Sequence, residues 1–213
     1  MADWEAFYRE RDYDRCAYLA GEAMVDHLDR FFERVGVPGT LLSVGCGPAV
    51  TEFALAERHP DLDVLAVDLS ATVVADNRAL AAERGLDNLS FAVDALPDLS
   101  TDGRFDLVYC VATLYFVEAV ADALRALWAR VAPGGYLVVN YPTEATREWA
   151  REELDPWRRD EFFHLVRDGA NLLTREEVAR ATGGEARDYW AAVGVGDEPG
   201  AERAPTAYVR REP

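Results

Sequence analysis

Two glycines one residue apart, Gly45 and Gly47, follow the apolar run Leu41 to Val44, and two aspartates, Asp68 and Asp94, close the next two apolar runs. A strand that enters a Gly-x-Gly bend and then a helix exposes backbone N–H groups beside a helix N-terminus, at the carboxyl edge of a parallel sheet. Open α/β sheets bind ligands at that edge. Gly45 permits the tight turn, and Gly47 lets the backbone approach a ligand with no side chain between; a bare packing turn is the other reading of the pair. Asp68, ending the second strand, can accept hydrogen bonds from both hydroxyls of a ribose. Its alternative is to cap the following helix, a role for which Ser70 is better placed. Two acids at consecutive strand ends suit a nucleoside better than a phosphate.

The spacing also separates one nucleotide from another. A nicotinamide loop, Gly-x-Gly-x-x-Gly/Ala, needs a small residue where Val50 stands, and it offers a pyrophosphate the dipole of the next helix. Counted as Gly-x-Gly-x-Gly, the third place is Ala49, which a closely approaching ligand tolerates.

The elements that must hold these residues alternate along the chain. Residues 18–35 have helical periodicity and stop at Gly36-Val37-Pro38-Gly39. Strands are predicted over residues 40–44, 64–70, 89–96, 105–112 and 135–141, the second apolar on both faces as buried parallel strands are. Helices are predicted over 50–57, over 71–84 with Ser70 as N-cap and Gly85 as stop, and over 117–131, closed by Pro133-Gly134-Gly135. Right-handed crossovers make this an α/β chain, a parallel sheet with helices on both faces.

Past Pro142 the pattern changes. Residues 143–167 read as charged helix with two tryptophans, and 174–181 as a short helix capped by Thr174 with Glu177 three residues on. Residues 186–193 and 206–211 form a closing antiparallel hairpin around the polar loop 194–205. One domain accounts for the length: a helical arm over 1–39, a core over 40–142, a helical insertion over 143–184 and closing strands over 185–213.

Taken in order, LLSVGCGPA, VLAVDLS, FAVDALPD, FDLVYCVATLYFV and RVAPGGYLVV resemble the motifs of class I S-adenosylmethionine-dependent methyltransferases over roughly Leu41 to Asn140. The resemblance implies a Rossmann-like, mostly parallel seven-stranded sheet with a C-terminal antiparallel hairpin, and S-adenosylmethionine as cofactor. It implies that Gly45, Cys46 and Gly47 line the methionine part and that Asp68 holds the ribose, with Leu69 against the adenine. Asp94 with Ala95 would meet the adenine amino group, and Cys110 and Val111 would border the cofactor. Ser43 stands where the family usually has Asp or Glu, two residues before the first glycine, and Ala49 replaces the third glycine.

Methyl transfer from a sulfonium is a direct displacement that alignment and desolvation can drive, with a general base needed only if the acceptor loses a proton. Candidates on the acceptor side are Tyr8, Tyr13, Thr113, Tyr115 and Tyr141, read mainly as pocket walls because tyrosine ordinarily titrates near 10. His164 is a further candidate base. Asn140-Tyr141-Pro142 does not match the Asn/Asp-Pro-Pro-Tyr signature of amino methyltransferases, and Cys-Val-Ala-Thr after the fourth strand resembles small-molecule members. The aromatic arm (Trp4, Phe7, Tyr8, Tyr13) and the Trp149/Trp157 region are expected to form a lid or, more simply, to cover the sheet edge.

Composition bounds the rest. The chain of 213 residues has 39 acidic against 22 basic residues, a net charge of −17, and no lysine, isoleucine or glutamine. Such acidity suits a salt-adapted prokaryotic protein, whose self-repulsion salt screens, and leaves no basic stretch for nucleic acid. Cys16, Cys46 and Cys110 match no disulfide or zinc spacing, His27, His59 and His164 form no paired motif, and no metal is expected. With no signal peptide and no apolar run near the roughly 18 residues of a membrane helix, the reading is cytoplasmic. The expectation is thus a monomeric or homodimeric enzyme with a small-molecule methyl acceptor. A cofactor-binding protein without transfer activity and, more remotely, a NAD(P)-dependent oxidoreductase are the alternatives.

Overall fold

The structure is a computed structural model describing residues 3–10, 23–196 and 201–213. Five parallel strands come first: Thr40–Val44 (β1), Asp63–Asp68 (β2), Leu89–Val93 (β3), Phe105–Cys110 (β4) and Val131–Asn140 (β5). Thr206–Arg210 (β7) runs antiparallel to β5, and Ala186–Asp188 (β6) antiparallel to β7. The order is β3-β2-β1-β4-β5-β7-β6, so the winding reverses between β1 and β4. A crevice opens at such a reversal, beyond the carboxyl ends of the strands.

Strand β1 explains why the sheet is buried on both faces. Its pleat sends Leu41 toward the cluster of Phe31, Phe53 and Leu55, and Leu42 and Val44 toward the cluster of Leu124, Leu127 and Val178. The first cluster lies beneath Ala23–Val35 (α2) and Val50–Arg58 (α3), the second beneath Val120–Ala129 (α5) and Arg175–Thr182 (α9). Between α3 and α5 in the chain lies Ala71–Arg84 (α4), while Trp4–Glu10 (α1) packs against α4.

Where the ends of an element are marked locally, the sequence reading and the structure coincide. Ser70 Oγ accepts from the Val73 amide and Gly85 ends α4 at φ 67°, while Thr174 and Glu177 close a reciprocal capping box on α9. Elsewhere tertiary contacts move the boundaries. Strand β5 begins at Val131, not 135, because Pro133-Gly134-Gly135 continues the strand; a Cβ on Gly135 would lie 2.7 Å from the Asp106 carbonyl oxygen. Helix α5 begins only at Val120, after a short turn at Leu114–Phe116. The 143–167 stretch is broken into Glu144–Glu152 (α6), Pro156–Glu161 (α7) and His164–Asp168 (α8), since Asp155 caps a new helix with Pro156 in its first turn.

The expected strand over 186–193 stops at Asp188. Its carboxylate accepts from the Ala191 amide and starts the turn Tyr189–Ala192 (α10), which buries Tyr189 against Phe31. The helix read over 18–35 is described from Ala23 onward, and residues 18–22 lie outside the described residues. Among the described residues, no helix is long and apolar enough to cross a membrane.

Candidate functional site

The bend after β1 turns its N–H groups inward. The amides of Gly45 and Cys46 both donate to the Val67 carbonyl, at 2.8 and 3.1 Å, and the Gly47 amide donates to Asp68 Oδ2 at 2.9 Å. The expectation that this bend offers free donors to a ligand is therefore corrected: β2 consumes them. An anion nest needs those donors, so the geometry disfavours a pyrophosphate more strongly than Val50 alone does.

Glycine is required at Gly45, where φ is 75° and an added Cβ would lie 2.2 Å from Thr113 Oγ1. The Thr113 hydroxyl lies 3.2 Å from the Val44 carbonyl and 3.3 Å from that of Gly45. It fills the notch between the ends of β1 and β4. Ala49, where the resemblance expects a third glycine, takes the left-handed conformation a glycine would prefer, φ 58° and ψ 33°, as N-cap of α3. Ala112, just beyond β4, is also left-handed at φ 57°. Strained alanines thus flank the reversal point of the sheet on both strands.

Asp68 is the hub. Its Oδ2 holds Gly47, its Oδ1 accepts from the Ser70 amide at 2.9 Å, and burial raises its carboxyl above the usual range. The Leu69 amide also bonds the carboxylate, so of its about four lone-pair sites one remains for a ligand hydroxyl. Leu69 next to it is 45% exposed.

Asp94 behaves differently. Its oxygens accept from the amides of Ala95, Ser100 and Thr101 and from both hydroxyls of the last two, which holds its carboxyl down at about 2 against burial. The resemblance implies that it meets an adenine amino group; the structure instead saturates the carboxylate with the loop it organises, while Ala95 beside it is exposed.

Ser43 has a partner that sequence reasoning missed. Its Oγ donates to Glu52 Oε1 at 2.5 Å, both residues being buried. Burial pushes Glu52 up to about 7, against the pull of the Ser43 hydroxyl and the Glu52 amide. Asn77 was also missed: buried on α4, it donates from Nδ2 to the Gly47 carbonyl at 2.7 Å. Both carry one detectable signal, a polar residue inside a helix's apolar stripe, with Glu52 in register with Leu55 and Ala56 and Asn77 with Val73, Val74 and Ala81.

Burial holds the two described thiols, Cys46 and Cys110, in the protonated form. Burial raises Cys46 well above its ordinary value, with Asp68 and Glu52 adding to the effect, and raises Cys110 to about 12. Strand alternation points Cys110 into the cluster beneath α5, so its side chain does not border the crevice; Val111, half-buried, packs on the opposite cluster.

The acceptor-side candidates separate. Tyr115 is buried, takes a hydrogen bond from Asn140 Nδ2 at 2.5 Å and has its pKa raised by burial, while Asn140 Oδ1 accepts from the Ala112 amide. Tyr8 is buried on α1 beside Trp4 and Phe7. Tyr141 turns away, into the cluster beneath α5 and α9, hydrogen-bonded to Arg175, with burial raising its pKa. His164 makes a local contact from Nδ1 to the Glu161 carbonyl at 3.3 Å. Tyr13 lies outside the described residues.

Above the crevice the aromatic residues meet. The Trp4 ring is 4.8 Å from Phe116, which follows β4, and 4.9 Å from Phe162, which joins α7 to α8. Trp157 stacks edge-on against Phe162 and Trp149 against Phe163. The arm therefore spans from the end of β4 to the 143–184 insertion.

Comparison with known proteins follows this geometry. Residues 41–135 match the family model described as a methyltransferase domain. The chain is 35% identical over 102 residues to the trans-aconitate 2-methyltransferase of Deinococcus radiodurans, covering 48% of this chain and 37% of that protein. It is 30% identical over 144 residues to that of Methylobacterium radiotolerans, covering 67% and 50%. The match thus spans half or less of these relatives' length. The fold is shared with the N-methyltransferase NodS from Bradyrhizobium japonicum, in complex with S-adenosylhomocysteine, at TM-score 0.64 and 17% identity over 98% of this chain and 97% of that one. It is shared also with the [4+2]-cyclase SpnF, at TM-score 0.60 and 18% identity over 94% of this chain and 85% of that one.

Proposed function

From the premise that residues 41–135 form a methyltransferase domain of the class I S-adenosylmethionine-dependent type, we propose that the protein transfers a methyl group from S-adenosylmethionine to a small-molecule acceptor. The observation that carries this reading is the charge of the crevice. Glu52 and Asp68 stand behind and beside a bend whose N–H groups are already used. Such a site repels a pyrophosphate and favours a ligand that is cationic at one end and carries a ribose at the other.

When bound, S-adenosylmethionine supplies a methyl group activated on a sulfonium. The chain's own part is placement: Asp68 takes a ribose hydroxyl on its remaining lone pair, Leu69 and Ala95 flank the adenine, and Gly45 to Gly47 with Ser43 border the methionine end. Val111 and the backbone at Cys110 close the far side. Trp4, Phe7 and Tyr8 on α1, with Phe116 and Phe162, exclude water from the reacting centre. Tyr115, held protonated, orients the acceptor without removing a proton.

The acceptor is a small molecule because the arm and the insertion roof the crevice. Trans-aconitate heads the trial set, since two relatives act on it by name. The setting is cytoplasmic and salt-adapted, with no nucleic-acid partner, the protein working as a monomer or homodimer.

Calorimetric titration with S-adenosylmethionine, S-adenosylhomocysteine and NADH in molar salt tests the reading; binding of the first two and not the third is expected. Failure of the first two to bind would sink it. A second reading, a binding protein without transfer activity, draws on Ser43 in the acid's place and on the [4+2]-cyclase sharing the fold. It predicts cofactor binding with no S-adenosylhomocysteine formed from trans-aconitate or any other small acceptor.

A further inference from the structure

Ser43 leaves strand β1 without the acid that the resemblance expects there, yet the space behind the bend holds one. Glu52 reaches it from the first turn of α3, nine residues along, and its carboxylate is tied to the very hydroxyl that replaced the acid. The groups facing it are Ser43 on β1, Cys46 in the bend, Asp68 on β2 and Tyr109 on β4, which is Ser43's partner in the strand register. Among the described residues no arginine pairs with Glu52 or Asp68. A buried carboxylate with one hydroxyl and its own amide as partners is poorly compensated, and a cation arriving at the bend supplies what it lacks.

Resting on the cofactor reading above, we propose that Glu52 is the positioning carboxylate of this site, delivered from α3 through Ser43 in place of a strand acid. Its charge receives the α-ammonium end of the cofactor. That end is common to S-adenosylmethionine and S-adenosylhomocysteine, so both ligands depend on Glu52. Burial pushes the Glu52 carboxyl up to about 7 in the free protein, so its protonated form is populated near neutral pH. Ligand binding favours the carboxylate, and the displaced proton passes to buffer.

The test is calorimetric titration of the full chain at pH 7 with each ligand, in two buffers of different ionisation enthalpy. Wild type is expected to release a fraction of a proton on binding, seen as a buffer-dependent heat. Glu52→Gln is expected to bind both ligands about tenfold or more weakly and to release none. Ser43→Asp/Glu52→Gln, which returns the acid to the strand, is expected to recover affinity to within about threefold of wild type. A melting curve of each variant at pH 8 separates lost binding from lost fold. Unchanged affinity in Glu52→Gln, or a wild type whose binding heat does not depend on buffer, overturns the proposal while leaving the cofactor reading intact. A wild type that binds neither ligand overturns both.

Discussion

Glu5 and Thr72 clasp the arm to the core. The Glu5 carboxylate accepts from Thr72 Oγ1 at 2.6 Å and from the Thr72 amide at 3.3 Å, and it takes the Ser70 hydroxyl at 2.7 Å. An acid from α1 thus caps the N-terminus of α4, two residues beyond Asp68.

The Thr72 and Ser70 hydrogen bonds hold the Glu5 carboxyl down at about 2. A depressed carboxyl contributes its stabilisation above its ordinary pKa of 4.5 and loses it as pH falls toward 2. Glu5→Gln is expected to speed amide exchange in α1 about two- to fivefold at pH 7, leaving β1 unchanged. The clasp has no such role if exchange in α1 is the same in both proteins.

Glu52 acts on stability in the opposite sense. Its carboxyl is raised in the folded protein to about 7, so its favourable contribution is complete below 4.5 and is lost as pH climbs through 7. Wild type without ligand is expected to lose on the order of 2–3 kcal/mol from this group between pH 5 and pH 8. Glu52→Gln should flatten that slope in urea unfolding curves; an equal slope would show that Glu52 does not titrate there.

At Ala49 two opposed effects decide the outcome. Replacing it with glycine relieves about 1–2 kcal/mol of left-handed strain but forfeits about 0.8 kcal/mol of methyl burial and about 0.4–1 kcal/mol of unfolded-chain freedom. Ala49→Gly should therefore unfold within about 1 kcal/mol of wild type, an unusually mild result for a fully buried side chain. Ala49→Val, β-branched at φ 58°, should cost more than about 2 kcal/mol.

Gly45 and Thr113 should prove coupled. Gly45→Ala places a methyl inside the Thr113 side chain and is expected to cost about 3 kcal/mol or more. Thr113→Ala removes the clash but not the positive φ, so the double variant should recover only about 1–2 kcal/mol of that loss. Strict additivity in the cycle would mean that Thr113 does not fill the notch.

The legible parts of the molecule were those whose signals are local. Ser70, Gly85, Thr174 and Glu177 mark helix ends by bonds to residues three or four away, and α4 and α9 were read from them. Asp68 was readable because it ends an apolar run. The turn at Tyr189 was not, since what stops the strand there is Phe31, far away in the chain, against which Tyr189 packs. The contact of Thr113 with Gly45 is not legible for the same reason: Gly45 comes beside it only when β1 and β4 pair.

The excess of acid gives a prediction for the whole chain. A net charge of −17 repels itself at low ionic strength, and salt shortens the screening distance to about 3 Å at 1 M. The melting temperature is expected to rise between low and molar sodium chloride; a flat or falling curve would remove salt adaptation from the account.

The inward-facing amides of the bend bear on how binding is paid for. Because Gly45, Cys46 and Gly47 already give their N–H groups to Val67 and Asp68, the bend keeps its form through bonds of the sheet rather than through bonds a ligand must supply. The cradle is a finished part of the sheet.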